Sequence, residues 1–401
     1  MKPGLRIQYG LVAVGALLIC QSFMMIPIYR SRLIEYLAVS NAMFGLMLSL
    51  RWTAGLVFVL PAGALIDRFG PRRIIRTGLL GVGTSMLMLA LSSTNLFFLS
   101  SAIFIYGIFL LPLAIAVNNY LIRLFPNNRR RAISLNFAGT SVGALFFPAL
   151  AEYLLNLSTT CTTVSFAMIF HGPFLATGPV LLILSILYRK KKTLPLMTHE
   201  PSREPFSFRH LLIGRRLHPI ILLTAAHGTA DTLIFIWMAR FLESESFDAI
   251  PIGPGYVLSA WSVSYLLSRT ILGIIPDRFG RGTLMILPGI LGGTVFICGI
   301  LSRNYLLTAG GYVLGAFLWS AEFPVMLSVL ADKEPRRFGA AMSLNMFLVS
   351  ILTAAGIPAF GTLVDVTPEA SMWLLMLIPA AVFPCIGTAA LIWTRRQKGN
   401  P

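Results

Sequence analysis

Long stretches without a charged residue constrain this chain most. Residues 7–29 hold no Asp, Glu, Lys or Arg, and neither do residues 77–122. A helix needs about 20 apolar residues to cross a bilayer, whereas a barrel strand has about 10 residues that alternate in polarity. These runs are long and do not alternate. Only 12% of the chain is charged, against about 25% in soluble domains, so we predict a helical membrane protein.

The apolar runs and the polar turns between them predict twelve membrane-spanning helices. Their predicted bounds are 8–29, 44–66, 74–93, 96–119, 132–155, 164–188, 219–241, 253–276, 283–302, 304–331, 339–363 and 370–394. The first apolar run is longer than the roughly 7–15 apolar residues of a signal peptide. We therefore expect it to remain part of the protein.

The basic residues predict the orientation in the membrane. The formal net charge is +17, from 32 Lys and Arg against 15 Asp and Glu. With a cytoplasmic N-terminus, 26 of the 32 fall in cytoplasmic segments, four on the opposite side, and two, Arg51 and Arg269, inside spans. Because basic residues accumulate in cytoplasmic loops, we predict both termini in the cytoplasm. Basic residues spread over many loops do not form the single stripe of a nucleic-acid-binding protein.

The chain also repeats itself at an offset of 209 or 210 residues. Ser134-Leu135-Asn136 recurs as Ser343-Leu344-Asn345, and Asp67-Arg68-Phe69-Gly70 recurs as Asp277-Arg278-Phe279-Gly280. A period of this length spans half of the chain and six of the predicted helices. The repeat therefore predicts two pseudo-symmetric six-helix bundles of the same orientation.

The predicted domains follow from this repeat. They are an N-terminal six-helix bundle over 1–188, a basic, proline-containing cytoplasmic linker over 189–218, and a C-terminal six-helix bundle over 219–401. Two parallel bundles with a site between them are typical of transporters that rock one half against the other. A channel or a membrane scaffold with duplicated halves is the alternative.

The segment that follows the second span carries a family resemblance. It reads Gly63-Ala64-Leu65-Ile66-Asp67-Arg68-Phe69-Gly70-Pro71-Arg72-Arg73. This resembles the loop signature G-x-L-x-D-R-x-G-x-R-R of the major facilitator superfamily, and Gly273–Arg281 resembles it more weakly. The resemblance implies an all-α membrane protein with the twelve-helix major facilitator fold, working as a secondary transporter.

The same resemblance implies a conformational latch on the cytoplasmic side. A carboxylate at a helix end accepts N–H hydrogen bonds from a neighbouring helix N-terminus and pairs with Arg, which holds the two halves together in one state. The implied latch residues are Gly63, Asp67, Arg68, Gly70, Arg72, Arg73, Asp277 and Arg278. For Arg72 and Arg73, the alternative role is to fix the topology by positive charge.

Ionisable residues inside spans are costly and are therefore candidates for function. Arg269 lies in the eighth span, on one helix face with Ser262 and Tyr265. Its guanidinium offers a planar fork to a carboxylate, and the resemblance supports this role because organic-anion members carry an Arg here. A structural role, in which Arg269 caps carbonyls or pairs with a buried acid, is the alternative. Arg51 is a second cationic contact or extends to the surface. The predicted substrate-binding residues are Arg269, Tyr265, Ser262, Gln21, Asn118, Asn119 and Arg51.

Three further residues are predicted to couple transport to protons. His227 and Asp231 are four residues apart in the seventh span and share a helix face. Imidazole titrates near physiological pH, so this pair suits proton transfer, although a static pair is the alternative. Glu322 lies in the tenth span, and we expect Arg269 as its partner. The predicted proton-coupling residues are Asp231, His227 and Glu322.

We therefore predict a secondary active transporter that works by alternating access and moves a small organic anion of the carboxylate type with protons. Efflux of drug-like or amphipathic compounds and transport of a zwitterion such as an amino acid stay open. The five histidines show no metal-ligand spacing, and the sequence has no ATP-binding glycine loop. We expect no enzymatic activity and no cofactor. The expected partners are a small-molecule substrate and the lipid bilayer, without nucleic acid, and we expect a monomer in a cell membrane such as a bacterial inner membrane.

Overall fold

The computed structural model describes residues 3–92, 95–125, 127–160, 165–188, 217–244, 246–274, 281–335 and 337–399. These residues form fourteen α-helices and two short 3₁₀ helices, Gln21–Met25 and Glu369–Ser371. The α-helices are α1 (Pro3–Cys20), α2 (Arg30–Leu37), α3 (Asn41–Phe69), α4 (Pro71–Leu91), α5 (Leu96–Leu124), α6 (Arg129–Thr160), α7 (Phe166–Leu187), α8 (His218–Leu242), α9 (Pro254–Ile274), α10 (Arg281–Leu301), α11 (Tyr305–Trp319), α12 (Glu322–Lys333), α13 (Phe338–Val366) and α14 (Met372–Gly399).

Eleven helical segments of the described chain are long and apolar enough to cross a membrane. One of them joins α1 to the following 3₁₀ helix, and another joins α11 to α12. Helix α9 has 21 residues and is not among the eleven. It occupies the place of the predicted eighth span. The prediction of an all-α membrane fold is confirmed.

Short polar residues between the apolar runs begin several of the helices. The Asn95 side chain accepts hydrogen bonds from the backbone N–H groups of Phe97 and Phe98, at 2.9 and 3.2 Å, and so caps α5. Ser40 caps α3 in the same way through Met43 N. Such caps satisfy N–H groups that have no partner inside the helix. Between α3 and α4, Gly70 has a φ of 82°, a conformation that favours glycine.

Two pairs of helices join α1–α7, the N-terminal half, to α8–α14, the C-terminal half. Helix α3 packs along α13, and α6 packs along α9. Glycine permits the close approach of α3 to α13. A Cβ atom on Gly45 would lie 2.9 Å from the Ile357 carbonyl oxygen, and one on Gly361 would lie 2.6 Å from that of Asn41. The space between these two helix pairs is where a cavity remains.

Polar contacts between the halves flank this space at both membrane faces. The outer face, defined here by the start of α3 and the end of α13, includes Arg30, whose Nη2 lies 3.4 Å from Glu243 Oε2. Burial lowers the pKa of Arg30 to about 10, so it stays protonated at neutral pH. At the opposite, cytoplasmic face of the predicted topology, Arg129 Nη1 donates to the Ala331 carbonyl at 3.1 Å and lies 3.4 Å from Asp332 Oδ1.

Candidate functional site

A cavity of about 220 Å³ lies between the two halves, near the middle of the helices. A second cavity of about 100 Å³ adjoins it and shares Met24, Trp52, Asp231, Thr232 and Trp261 with it. The larger cavity has apolar and aromatic walls with a few polar groups, which is typical of small-molecule sites. Those polar groups belong to Gln21, Thr140, Ser141, His227, Asp231, Thr232, Tyr265 and Arg269.

Arg269 extends from α9 across the interface to α6. Its Nη1 donates to Ser141 Oγ at 3.2 Å and to the Phe137 carbonyl at 3.5 Å. The guanidinium carbon lies 4.2 Å from the Tyr265 ring centroid and 5.2 Å from that of Phe137, within the range of cation–π attraction.

Arg269 forms no ion pair among the described residues. Its Nε is buried without a hydrogen-bond acceptor. No carboxylate of the described chain lies within 4.0 Å of the guanidinium nitrogens. Nη1 is already used, so Nε remains as an unused donor. A planar guanidinium with an unused donor suits a carboxylate.

Asp231 lies on the same cavity and is held by a short chain of hydrogen bonds. The Tyr265 hydroxyl donates to Asp231 Oδ1 and accepts a hydrogen bond from Trp319 Nε1 at 2.8 Å. Tyr265 thus contacts the carboxylate through its hydroxyl and the Arg269 guanidinium through its ring. The structure brings Asp231, Tyr265 and Arg269 together in one site.

The partner of Glu322 differs from the expected one. Glu322 Oε2 lies 3.0 Å from His227 Nδ1 and not against Arg269. Both side chains are almost fully buried, with 0% and 1% of their surface exposed, and the imidazole packs against the rings of Phe323 and Phe383. His227 therefore pairs with Glu322, while Asp231 bonds to Tyr265.

The helix of the tenth predicted span is interrupted beside these partners. Helix α11 ends at Trp319, and α12 begins at Glu322. On the two sides of this interruption, Trp319 contacts Tyr265 and Glu322 contacts His227. Helix breaks at mid-membrane depth are typical of transporter binding sites.

Arg51 lines the smaller cavity and does not extend to the membrane surface. Its guanidinium carbon lies 5.3, 5.1 and 5.6 Å from the ring centroids of Phe23, Trp52 and Tyr106. Its Nε is buried without a hydrogen-bond partner. Of the two roles considered for Arg51, the structure therefore favours the inward-facing cation.

Gln21 lines the larger cavity, but three other predicted substrate-binding residues line neither cavity. Ser262 is buried and donates to the Leu258 carbonyl at 3.2 Å. Asn118 donates to the Ala114 carbonyl and accepts from Asn136 Nδ2 at 3.1 Å. The Asn119 side chain is also buried. These groups lie in the packing between helices.

Only some residues of the predicted latch belong to the described part of the structure. Gly63 packs against α13, where a Cβ atom would collide with Ser343 Oγ and lie 2.7 Å from the Gly339 carbonyl. Contact between the halves at this position is what the latch requires. Gly70 forms the turn described above. The Asp67 side chain, Asp277 and Arg278 lie outside the described residues.

The arginines of the predicted latch contact aromatic rings. Arg72 lies over Tyr9 and Tyr120, at 5.0 and 5.7 Å from the centroids. Arg68 and Arg73 both lie over Phe69, at 5.1 and 5.6 Å. These contacts lie within the N-terminal half and leave the predicted latch role of the arginines open.

Sequence reasoning missed several residues of the site. Ser141 and Phe137 hold Arg269, Thr232 lines both cavities, and Trp319 donates to Tyr265. Ser141 gave a weak signal, as a hydroxyl within an uncharged span beside Thr140. For Trp319 no pattern in the sequence predicts the contact.

The chain resembles known proteins in sequence and in fold. The family model of the Major Facilitator Superfamily matches residues 11–255. The agnestins efflux protein AgnL12 of Paecilomyces divaricatus is 24% identical over 315 residues, which cover 75% of this chain and 66% of the relative, just under two thirds of its length.

Two solved structures share the fold. The E. coli fucose:proton symporter FucP matches with a TM-score of 0.72 and 16% identity, over 96% of both chains. The human organic anion transporter MFSD10 (TETRAN) matches with a TM-score of 0.70 and 16% identity, over 97% of this chain and 100% of that chain. At this level of identity, the likeness concerns the fold alone.

Proposed function

This chain belongs to the Major Facilitator Superfamily, and on that premise we propose that it moves a small organic anion together with protons by alternating access. The two halves, over 1–188 and 219–401, would act as the rocking units on either side of the cavity. The observation that carries the anion proposal is the Arg269 guanidinium on the cavity wall. Its Nε has no hydrogen-bond acceptor, and it forms no ion pair among the described residues.

The charges around the two cavities support an anionic substrate. Arg51 and Arg269 are two guanidinium groups, and Asp231 is a single carboxylate on the same walls. Glu322 lines neither cavity and is hydrogen-bonded to His227. Among the groups that line the cavities, one positive charge therefore remains for a substrate to neutralise. A monocarboxylate with an apolar body suits this charge and the aromatic walls.

The same arrangement supports coupling to protons. If Asp231 takes up a proton, both guanidinium charges are unopposed and an anion binds more strongly. By reciprocity, a bound anion then favours protonation of Asp231 by the same factor. One proton and one anion together leave the net charge of the cavity unchanged. We propose Asp231 as the coupling residue, with His227 and Glu322 as a second proton-accepting pair beside it.

A thermal-shift comparison of benzoate with benzamide tests this proposal. The two compounds have nearly the same shape and differ in charge, and a ligand that binds the folded state raises its apparent stability. We expect benzoate to raise the melting temperature of the purified protein, more at pH 5.5 than at pH 8, and benzamide to have no effect. Equal stabilisation by both compounds would refute an anion site.

Export of a larger amphipathic compound is a second candidate. The relative from Paecilomyces divaricatus is named an efflux protein, and Met24, Trp52 and Trp261 give the cavity an adaptable apolar lining. Extrusion of amphipathic dyes from cells that express the protein, with no response to small carboxylates, would favour this candidate. In either case we propose a monomer in a cell membrane with cytoplasmic termini.

A further inference from the structure

Two carboxylates on the outer face each cap a helix of the opposite half. Asp365, near the end of α13, accepts hydrogen bonds from Asn41 N at 3.0 Å, Asn41 Nδ2 at 2.8 Å and Ala42 N at 2.8 Å. Glu152 of α6 accepts from Gly255 N at 2.9 Å. One carboxylate thus belongs to the C-terminal half and caps α3, and the other belongs to the N-terminal half and caps α9.

The internal repeat relates these two contacts. Asp365 lies 22 residues after Ser343, and Glu152 lies 18 residues after Ser134, so Asp365 sits about one helical turn farther out. The helix that each carboxylate caps shows the same difference in length. Asn41 precedes Asp67 by 26 residues, whereas Gly255 precedes Asp277 by 22, so α3 starts about one turn farther out than α9. The two contacts are therefore pseudo-symmetric, with one a turn nearer the surface.

Small residues make room for the deeper contact. A Cβ atom on Gly253 would collide with Glu152 Oε1, and one on Gly255 would lie 2.6 Å from the Pro148 carbonyl. Only glycine at these two positions lets the start of α9 approach the carboxylate. Asp365 reaches three donors at the start of α3, where Gly361 permits the close approach described above.

These contacts are of a kind that can hold the two halves together at the outer face. The first N–H groups of a helix lack internal partners and carry a partial positive charge, so a carboxylate there makes charge-assisted hydrogen bonds. Because both contacts cross between the halves, both must break before the cavity opens to the outer face. We propose that Glu152 and Asp365 are gating residues, a pair of carboxylate latches that keep the outer face closed. The proposal rests on alternating access and not on which substrate is carried.

Spin labels at the outer ends of α4 and α10 provide the test. Leu91 and Leu301 are exposed, end equivalent helices, and are 210 residues apart. Cysteine variants at both positions carry the labels, and pulsed dipolar spectroscopy measures the distance between them. Loss of a charge-assisted hydrogen bond should raise the ratio of outward-open to closed molecules about tenfold. We expect this for Glu152→Gln and for Asp365→Asn, and about a hundredfold for the double variant because the sites are separate.

Two controls make the result specific. Glu35→Gln removes the same charge from the outer side. Among the described residues, the Glu35 carboxylate pairs within α2, with Arg32 at 3.8 Å, so this change should leave the distances unchanged. Asn41→Ala removes one donor to Asp365 and is milder for folding. It should shift the distances in the same direction and add little in the Asp365→Asn background.

Unchanged distances in a well-folded double variant would overturn the latch proposal, as would full additivity of Asn41→Ala with Asp365→Asn. These outcomes are distinguishable from failure of the proposed function. Loss of the benzoate response concerns Arg269 alone and leaves the outer-face distances as expected.

Discussion

Replacement of Arg269 by Gln is expected to weaken the binding of a small carboxylate about 10- to 150-fold. Arg269 Nη1 already donates to Ser141 and Phe137, whereas Nε has no hydrogen-bond partner and is the donor that we expect a substrate to use. A hydrogen bond to a charged group is worth about 1.5–3 kcal/mol, and each 1.4 kcal/mol is about tenfold in Kd. Since no carboxylate partner of Arg269 is seen in the described part of the chain, no existing ion pair offsets this loss.

Calorimetric titration of the purified protein with benzoate measures this effect. Arg269→Lys keeps the charge but loses the planar fork, so we expect a loss of about tenfold. Ser141→Ala removes only the anchor of Nη1 and is the matched control, with an expected change of a few-fold. Equal Kd values for the unaltered protein and Arg269→Gln would refute the assignment of Arg269 as the anion site.

Three further outcomes are expected. Asp231→Asn should retain exchange of carboxylate across a vesicle membrane but lose acceleration by a proton gradient, and retained acceleration would exclude Asp231 as the coupling group. Glu322→Ala leaves His227 Nδ1 buried without its partner and should lower the free energy of unfolding by about 1–3 kcal/mol. Thermal unfolding measures this loss, and an unchanged stability would show that the pair does not stabilise the fold. Gly63→Val places a side chain where a Cβ atom already meets Ser343 Oγ, so a cysteine introduced at the cavity residue Thr140 should be labelled faster from the cytoplasmic face. Unchanged labelling would argue against close contact there.

The membrane fold was predictable because each span is a local property of the sequence. Uncharged runs mark the helices, and Asn95 and Ser40 mark where two of them start. The repeat was equally visible in the sequence, because Asp277 corresponds to Asp67 at an offset of 210 residues.

The site was only partly predictable because pairing across helices is not a local property. Helical spacing put Arg269 and Tyr265 on one face, and both line the cavity. The same spacing included Ser262, which bonds to its own helix instead. The pairing of Glu322 with His227 depends on the break after Trp319 and on how α12 packs against α8. Neither leaves a signal in residue spacing.

Uptake of benzoate into proteoliposomes under an imposed proton gradient is the decisive test of proton-coupled anion transport at Arg269. Subtraction of the signal from vesicles with Arg269→Gln removes passive permeation of the acid. We expect Arg269-dependent uptake that increases as the outside is acidified and that becomes independent of the gradient in Asp231→Asn. Uptake that is the same with and without the Arg269 guanidinium, at every gradient, would contradict it.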